Sequence, residues 1–398
     1  MNKKRIVITG VGVISSCGIG FDAFAQALIG GVSGIKPVTL FDTTSFKAKT
    51  AGEISDFRAQ DFLGDKGLRT LDRSTKLVAS AAKLTLDSAK LQINEENTDS
   101  AGVAIGTTLG SVSSISDFDR EAIKEGVRYV NPALFPNTVI NSPASQVSIK
   151  FNIKGFNTTI STGFSASLDA IGYAVSMLNT NKAKFVLSGG VEELCLQTFL
   201  GFYKTKCLSG LDDSGLELSC PFDKRRNGVV LGEGSCVFVL EDLESALARK
   251  AKIYAEVLGF GTGPGIAQAM RSAIKDSGIK LEGLDYISAA ANSSRELDYR
   301  ETEAIKEVFG ARAKEINISS IKSSIGECFS ASGSFQLAGA LAALEKQAIP
   351  PTINYKEKDR LCDLNYVVNT AKSGRINNIL INASGLKGSN SSLVIAKF

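Results

Sequence analysis

The stretch Asn157–Ala174, NTTISTGFSASLDAIGYA, decides how the rest of the chain is read. Its β-prone run Thr158–Ser161 meets a turn at Thr162, Gly163 and Phe164, and small residues then open a helix at Ser165. Strand, glycine turn and helix in this order make a nucleophile elbow. The turn residue stands over the first turn of a helix whose free amides can hold an oxyanion. That residue is Phe164, and a phenyl ring cannot attack a carbonyl. The layout of a catalytic elbow is present without a nucleophile on it.

Outward from the elbow, short apolar strands with glycine exits alternate with small-residue helices. Lys4–Ile14 is a β-branched run, Asp22–Ile29 an amphipathic helix stopped by Gly30 and Gly31, and Ser74–Ala89 a buried helix with Leu77, Ala81, Leu84 and Ser88 on one face. Val103–Ile105 and Phe185–Leu187 are core strands that break into Gly-containing turns. The second half replays the first: Lys252–Gly259 as opening strand, Gly265–Ser277 as helix, Tyr286–Ala291 as core strand, Ile316–Ile325 leading into a small-residue helix through Leu344. Asn378–Asn382 reads as the last core strand, followed by a loop over Ala383–Ser392. The pattern predicts α/β layers around buried central sheets, in two unequal halves, 1–250 and 251–398, integrated into one globular unit.

Composition narrows the chemistry. With 398 residues, 43% hydrophobic and 22% charged, the chain is large enough for two core units or one duplicated fold. No apolar run reaches the roughly 18 residues of a spanning helix, and MNKKRIVITG reads as a strand rather than a signal peptide, so a cytoplasmic protein without a membrane partner is expected. Cys17, Cys195, Cys207, Cys220, Cys236, Cys328 and Cys362 are scattered without metal-ligand spacing, which predicts buried, reduced thiols and neither metal nor cofactor. A net charge of +4 with interspersed signs does not favour nucleic acid. There is no histidine at all, which excludes an imidazole base, a His-assisted nucleophile and a His-bound metal.

Five further segments carry a family resemblance. RIVITGVGVISSCG at the start, CPFDKRRNGVVLGEG (220–234), DYRETEAIK (298–306), KSSIGE (322–327) and NASGLKGSN (382–390) resemble, in order and at matching spacing, the motifs of the β-ketoacyl-acyl carrier protein synthases. The resemblance runs from Arg5 to Lys397. It implies a thiolase-like α/β fold of duplicated α-β-α-β-α layers with two central mixed sheets. It also implies a Cys-His-His site in which the Cys takes an acyl chain from its carrier and the two His stabilise the oxyanion. Position by position, the Cys falls on Phe164, the first His on Ala290 and the second on Glu327, while Asp298, Glu301, Lys322, Ser323 and Gly326 match the family around them.

Condensation needs a thiolate and donors facing the developing negative charge. Phe164 removes the first, Ala290 removes a donor, and Glu327 sets an acid where an anion must form. Lys322 is the family's lysine, and the acid it usually meets fourteen positions on is Gln336 here. A buried carboxylate needs a partner, so Glu327 is expected to have taken over that acid's place and to pair with Lys322; the alternative is that it points to solvent. Two departures concern the carrier. The long family loop after Ala255–Gly261 is cut to GTGPG, and the loop after Leu208 carries Asp212, Asp213 and Glu217, which would repel an acidic partner. Lys66, Arg69 and Arg73 stand as a basic patch for the carrier or as a solvated helix face.

A ketosynthase-like chain without a site resembles the chain-length factor of type II polyketide and polyene systems, a non-catalytic subunit that pairs with an active ketosynthase. The carrier protein then meets the pair through the active subunit. By this resemblance Leu109 lies on the acyl tunnel wall near the dimer axis, and Leu134, Phe135 and Thr138 lie in the loop that reaches into the partner; plain packing is the alternative for all four. Chain-length factors usually carry Gln at the elbow, so Phe164 departs from them and puts any Gln-linked decarboxylation in doubt. Phe164 is instead expected to fill the chain's own pocket. Two other functions are weighed: a lone homodimeric acyl-binding or scaffold protein, and an acyltransferase using Cys328 or Cys17 as a substitute nucleophile.

Overall fold

The computed structural model describes residues 3–385 and 388–398. Ten strands form the main path of an 11-stranded sheet, the two-residue strand Gly18–Ile19 pairing off the path with the first: β1 (Ile6–Ser15), β2 (Ala101–Gly106), β3 (Asn157–Ile160), β4 (Phe185–Glu192), β5 (Gly234–Asp242), β6 (Ala255–Gly263), β7 (Tyr286–Ser288), β8 (Asn317–Ser319), β9 (Asn378–Ser384) and β10 (Asn390–Ala396). Their spatial order is β8-β7-β9-β10-β6-β1-β5-β4-β2-β3. The order is palindromic in kind. From β1 outward the pairings run antiparallel, antiparallel, parallel, parallel, and from β6 outward they run the same way.

The repeated half is therefore present as a five-strand unit, and the two central sheets expected from the resemblance are these two units, joined edge to edge into one continuous sheet. The join is short: β1 pairs β5 along its length and meets β6 only at Ile6–Val257, Val7–Glu256 and Ile8–Ala255. One difference lies at the C-terminus. The segment 383–392, expected as a loop, continues β9 to Ser384 and starts β10 at Asn390, so β9 is not the last strand. Asn390 to Ala396 alternates into both faces of a buried sheet, and its serines and asparagine mask the strand pattern. Residues 386 and 387 of the NASGLKGSN motif lie outside the described residues.

Helices pack in three layers. α1 (Phe21–Ile29) packs into the core between the halves, with Phe24 against Phe335; outside the first half lie α2 (Arg73–Ala89), α3 (Val112–Glu125) and α4 (Ser142–Phe151), of which α2 carries one outer core with β1, β2, β4 and β5. Between the halves run α5 (Ala166–Asn179) and α8 (Ser332–Lys346); α6 (Ile266–Ser277) and α7 (Arg295–Phe309) cover the second half. Small residues allow these layers to close. A Cβ on Gly12 would sit 2.1 Å from the Ala81 carbonyl oxygen, so α2 lies directly on β1, as the small-residue pattern of Ser74–Ala89 predicts. A Cβ on Gly333 would lie 2.7 Å from Leu168, so α8 and α5 touch backbone to side chain in the middle layer. That contact brings the elbow at the head of α5 beside the turn at the head of α8.

Candidate functional site

The elbow forms where the sequence places it. β3 ends at Ile160, Gly163 adopts φ 82, and a short 3-10 turn over Gly163–Ser165 precedes α5. Phe164 is 8% exposed and its ring meets Phe329 edge-on at 5.3 Å, with Phe202 packing against Phe329 at 5.1 Å. Phe329 itself sits at φ 48, a left-handed conformation that a bulky side chain rarely adopts. The local backbone thus bends to put a second ring over the first. A cavity of about 270 Å³ runs in from a mouth at Lys206, Arg295 and Arg300 and reaches Phe164, Phe202 and Gly385. Ala290, Lys322 and Glu327 are not among its lining residues.

Those three residues form a separate, dry network. Lys322 Nζ lies 2.8 Å from Glu327 Oε2, and both side chains are essentially without solvent exposure. The ion pair expected from the sequence is present, and Glu327 does not point to solvent. Its Oε2 also accepts from Asn292 Nδ2 at 2.8 Å, while Oε1 accepts from the Phe329 amide at 3.0 Å and Ser332 Oγ at 2.6 Å. Four donors satisfy the carboxylate, which is what a buried charge requires. Lys322 Nζ donates in addition to the Ala290 carbonyl at 2.8 Å. Gln336, where the resemblance expects the acid, instead donates from Nε2 to the carbonyls of Ser288, Ala289 and Asn382.

The loop bearing Ala290 is pinned from below. Glu301 accepts from the amides of Ala290 and Ala291 at 2.9 and 2.8 Å, and Asp298 accepts from the amides of Asn292 and Phe222 at 2.9 and 2.8 Å. Burial raises both acids, Asp298 to about 6 against the pull of Arg226 and Glu301 to about 7. The arrangement can hold a fixed backbone and a fixed ion pair. It offers no group that could attack a thioester.

Neither substitute thiol is activated. Cys328 is completely buried, with Sγ against the carbonyls of Glu233 and Ile325, and desolvation drives it well above the ordinary thiol range, with Glu327 adding to the effect. It stands one short turn ahead of α8, nearer a helix start than the sequence suggests, but its thiol faces away from the cavity lining. Desolvation pushes Cys17 up to about 11. A thiolate is the nucleophile, so both shifts act against catalysis.

The peripheral residues divide. Leu109 is half-buried in the turn after β2; Leu134, Phe135 and Thr138 lie in a 3-10 segment, Pro132–Thr138, where Phe135 is 57% exposed beside Phe118. Lys66 and Arg69 are exposed. Arg73 does not share that freedom: its guanidinium is bidentate to Glu233, at 2.7 and 2.5 Å, and donates to the Ile54 carbonyl. Half-buried and committed to a buried acid, it is a structural residue rather than part of a basic patch. Glu217 is corrected likewise, since it turns inward to accept from the amides of Lys49 and Thr50 at 2.8 and 2.6 Å. Asp212 and Asp213 remain exposed. Sequence reasoning missed Asn292, Ser332 and Phe329 as partners of Glu327 and Phe164. The first two had a usable signal, since a buried acid needs several donors; the unusual backbone of Phe329 had none.

Among the described residues, no group of acidic, cysteine or histidine side chains is placed to hold a metal, and no helix is long and apolar enough to cross a membrane. Residues 3–246 match the β-ketoacyl synthase N-terminal domain and residues 252–356 the β-ketoacyl synthase C-terminal domain. The 3-oxoacyl-[acyl-carrier-protein] synthase 2 of Coxiella burnetii is 36% identical across 100% of this chain and 99% of its own length, and that of Vibrio harveyi 34% identical across 100% and 99%. Among solved structures, the ishigamide ketosynthase/chain length factor superposes with a TM-score of 0.92 at 31% identity, covering both chains completely. A type II polyketide synthase acyl-carrier protein in complex with its ketosynthase gives 0.91 at 28%, again over the full length of both chains.

Proposed function

We propose, from the premise that this chain belongs to the β-ketoacyl synthase family, that it is a non-catalytic subunit of the chain-length-factor type. It pairs with an active ketosynthase and shapes that partner's acyl tunnel during carrier-dependent chain elongation. The observation that carries this reading is the elbow itself: the turn holds Phe164 packed edge-on against Phe329, and the chain contains no histidine to replace the missing donors. Without a thiolate and oxyanion donors no acyl transfer or decarboxylative condensation has a route. The relatives named as synthases match the whole length of the chain, and among the positions where it departs from the family motifs are those on which the chemistry depends.

The outer surface supports a subunit role. β3 ends the strand order, so its outer edge has no strand beside it, and α3, which stands nearby in sequence and space with the Pro132–Thr138 segment, has no buried residue. Ile123, Val127, Tyr129, Phe135 and Ile149 are all more than half exposed on α3, α4 and the segments between. Apolar surface of this kind marks an interface. Mixed with an intact Cys-His-His ketosynthase, the chain is expected to elute as a one-to-one complex that condenses, and alone to condense nothing. A homodimer that persists in that partner's presence favours the scaffold reading instead. Covalent acylation of the isolated chain, lost on Cys328→Ala, overturns the non-catalytic one.

A further inference from the structure

Two adjacent acids at the end of β4, Glu192 and Glu193, face different parts of one segment, 107–113. Glu192 is completely buried and accepts four hydrogen bonds. Three come from the turn after β2: the Thr108 amide, the Leu109 amide and Thr107 Oγ1, each at 3.0 Å. The fourth, at 2.6 Å, comes from Ser330 Oγ, in the residue after Phe329. Glu193, 3% exposed, accepts from the Ser113 amide at 3.2 Å in the first turn of α3. That amide lacks a cap of the usual kind, because the N-cap residue Ser111 makes no side-chain cap bond. A carboxylate at a helix N-terminus takes its place.

The segment is also held from β3, where the Ile160 carbonyl accepts from the Thr107 amide at 3.0 Å. α3 is at most half-buried, with Phe118 against Phe135, so the bond from Glu193 adds a polar anchor to a modest apolar contact. The turn is tied on its other side to the elbow, where Thr108 Oγ1 donates to the Gly163 carbonyl at 2.9 Å. Two neighbouring carboxylates in a dry interior are costly, and burial raises both. Glutamine at either position would fill the same volume at a lower desolvation cost, but it would exchange charged acceptors for weaker neutral ones.

We infer that Glu192 and Glu193 are paired positioning residues. They set where the Leu109 turn and the first turn of α3 stand, and through them the depth of the tunnel presented to the partner. This rests on the chain-length-factor reading for its consequence in product length, and on geometry alone for the clamp. Glu192 further links the turn through Ser330 to the Phe329 ring that covers Phe164, so the sealed centre and the interface segment share one anchor.

Amide hydrogen exchange on the whole purified chain tests the clamp without any activity. In Glu192→Gln the amides of 107–110 should exchange about tenfold faster, the loss of one charge-assisted bond; in Glu193→Gln the same should appear at 112–115 when exchange is followed above about pH 8, where Glu193 is ionised. Ser330→Ala, which removes one donor and no charge, should give a smaller rise at 107–110 and serves if the glutamine variants do not fold. Unchanged exchange over 107–115 in the variants that fold overturns the clamp. With the partner ketosynthase and carrier, Glu192→Gln should broaden the product-length distribution in the direction set by Leu109→Ala, with complex formation intact. A shift with Leu109→Ala but none with Glu192→Gln overturns the positioning role. No shift with Leu109→Ala means the chain-length-factor reading has failed, and the exchange result alone then decides the clamp.

Discussion

The centre of this molecule and its outer edge are treated in opposite ways. At the centre, two of the three positions that the family resemblance assigns to chemistry carry side chains with partners inside this chain: Phe164 meets Phe329, and Glu327 collects four donors including Lys322. At the edge, β3 has no strand on its outer side among the described residues and α3 is at most half-buried, while Ile123 is 84% and Tyr129 75% exposed. The centre satisfies its own polar and apolar groups, whereas the edge leaves large apolar side chains uncovered. On the proposed function, substitutions in a disused site are free to improve stability, whereas those on an interface remain bound by a partner's shape.

The contrast can be broken most severely at the ion pair. Lys322→Met leaves Glu327 buried without its cation and should cost about 3–5 kcal/mol in urea unfolding, most of it recovered in Lys322→Met/Glu327→Gln. A loss under about 1 kcal/mol would mean that the centre is not self-sufficient. Phe164→Ala should cost about 3 kcal/mol, the low end for a buried phenylalanine because the cavity already borders the ring. Phe164→Cys should leave the chain unable to condense alone, since Ala290 and Glu327 still deny the oxyanion its donors; measurable carrier-dependent condensation by that variant would contradict the proposed function. At the edge the signature reverses: Ile123→Asp and Phe135→Asp should weaken partner binding at least about tenfold by titration while the thermal midpoint stays put. A fall in midpoint with binding intact would make that face internal packing instead.

The smallest effect expected is on pH dependence. Desolvation, with the Asp72 and Glu192 charges, raises Glu193 to about 8 from an ordinary 4.5, and Arg73 and Cys195 also face it. A raised carboxyl favours the folded state most when protonated, so its contribution is complete below about pH 4.5 and is lost as pH climbs through 8. Asp298 and Glu301 act with the same sign but finish by about 6 and 7. The midpoint of thermal unfolding should therefore decline between pH 5 and about 8, and Glu193→Gln should remove the part above 7. An unaltered slope in that variant would show that Glu193 is not the group responsible.

Much of the fold was legible because local and global preferences agree. β1, α2, β4 and the elbow are strongly patterned, and they lie within a few residues of where pattern reading sets them. β10 was not legible: Asn390, Ser391 and Ser392 read as loop residues, and only pairing with β6 and β9 on both sides makes them strand. Arg73 and Glu217 were misread for a related reason, since sequence reveals a charge but not which way it turns.

For the candidate site, the sequence by itself determined what is missing: no histidine, no nucleophile at the turn, an acid where a donor belongs. The chain's composition and the identity of the turn residue need no coordinates. Tertiary structure alone decided what replaced it. The network around Glu327 is assembled from three elements, with Asn292 reaching it 35 residues away along the chain, and Glu192 joins β4 to a turn 83 residues earlier. Hydrogen bonds over such separations depend on where the layers put the backbone, and that is set by the packing of the whole core.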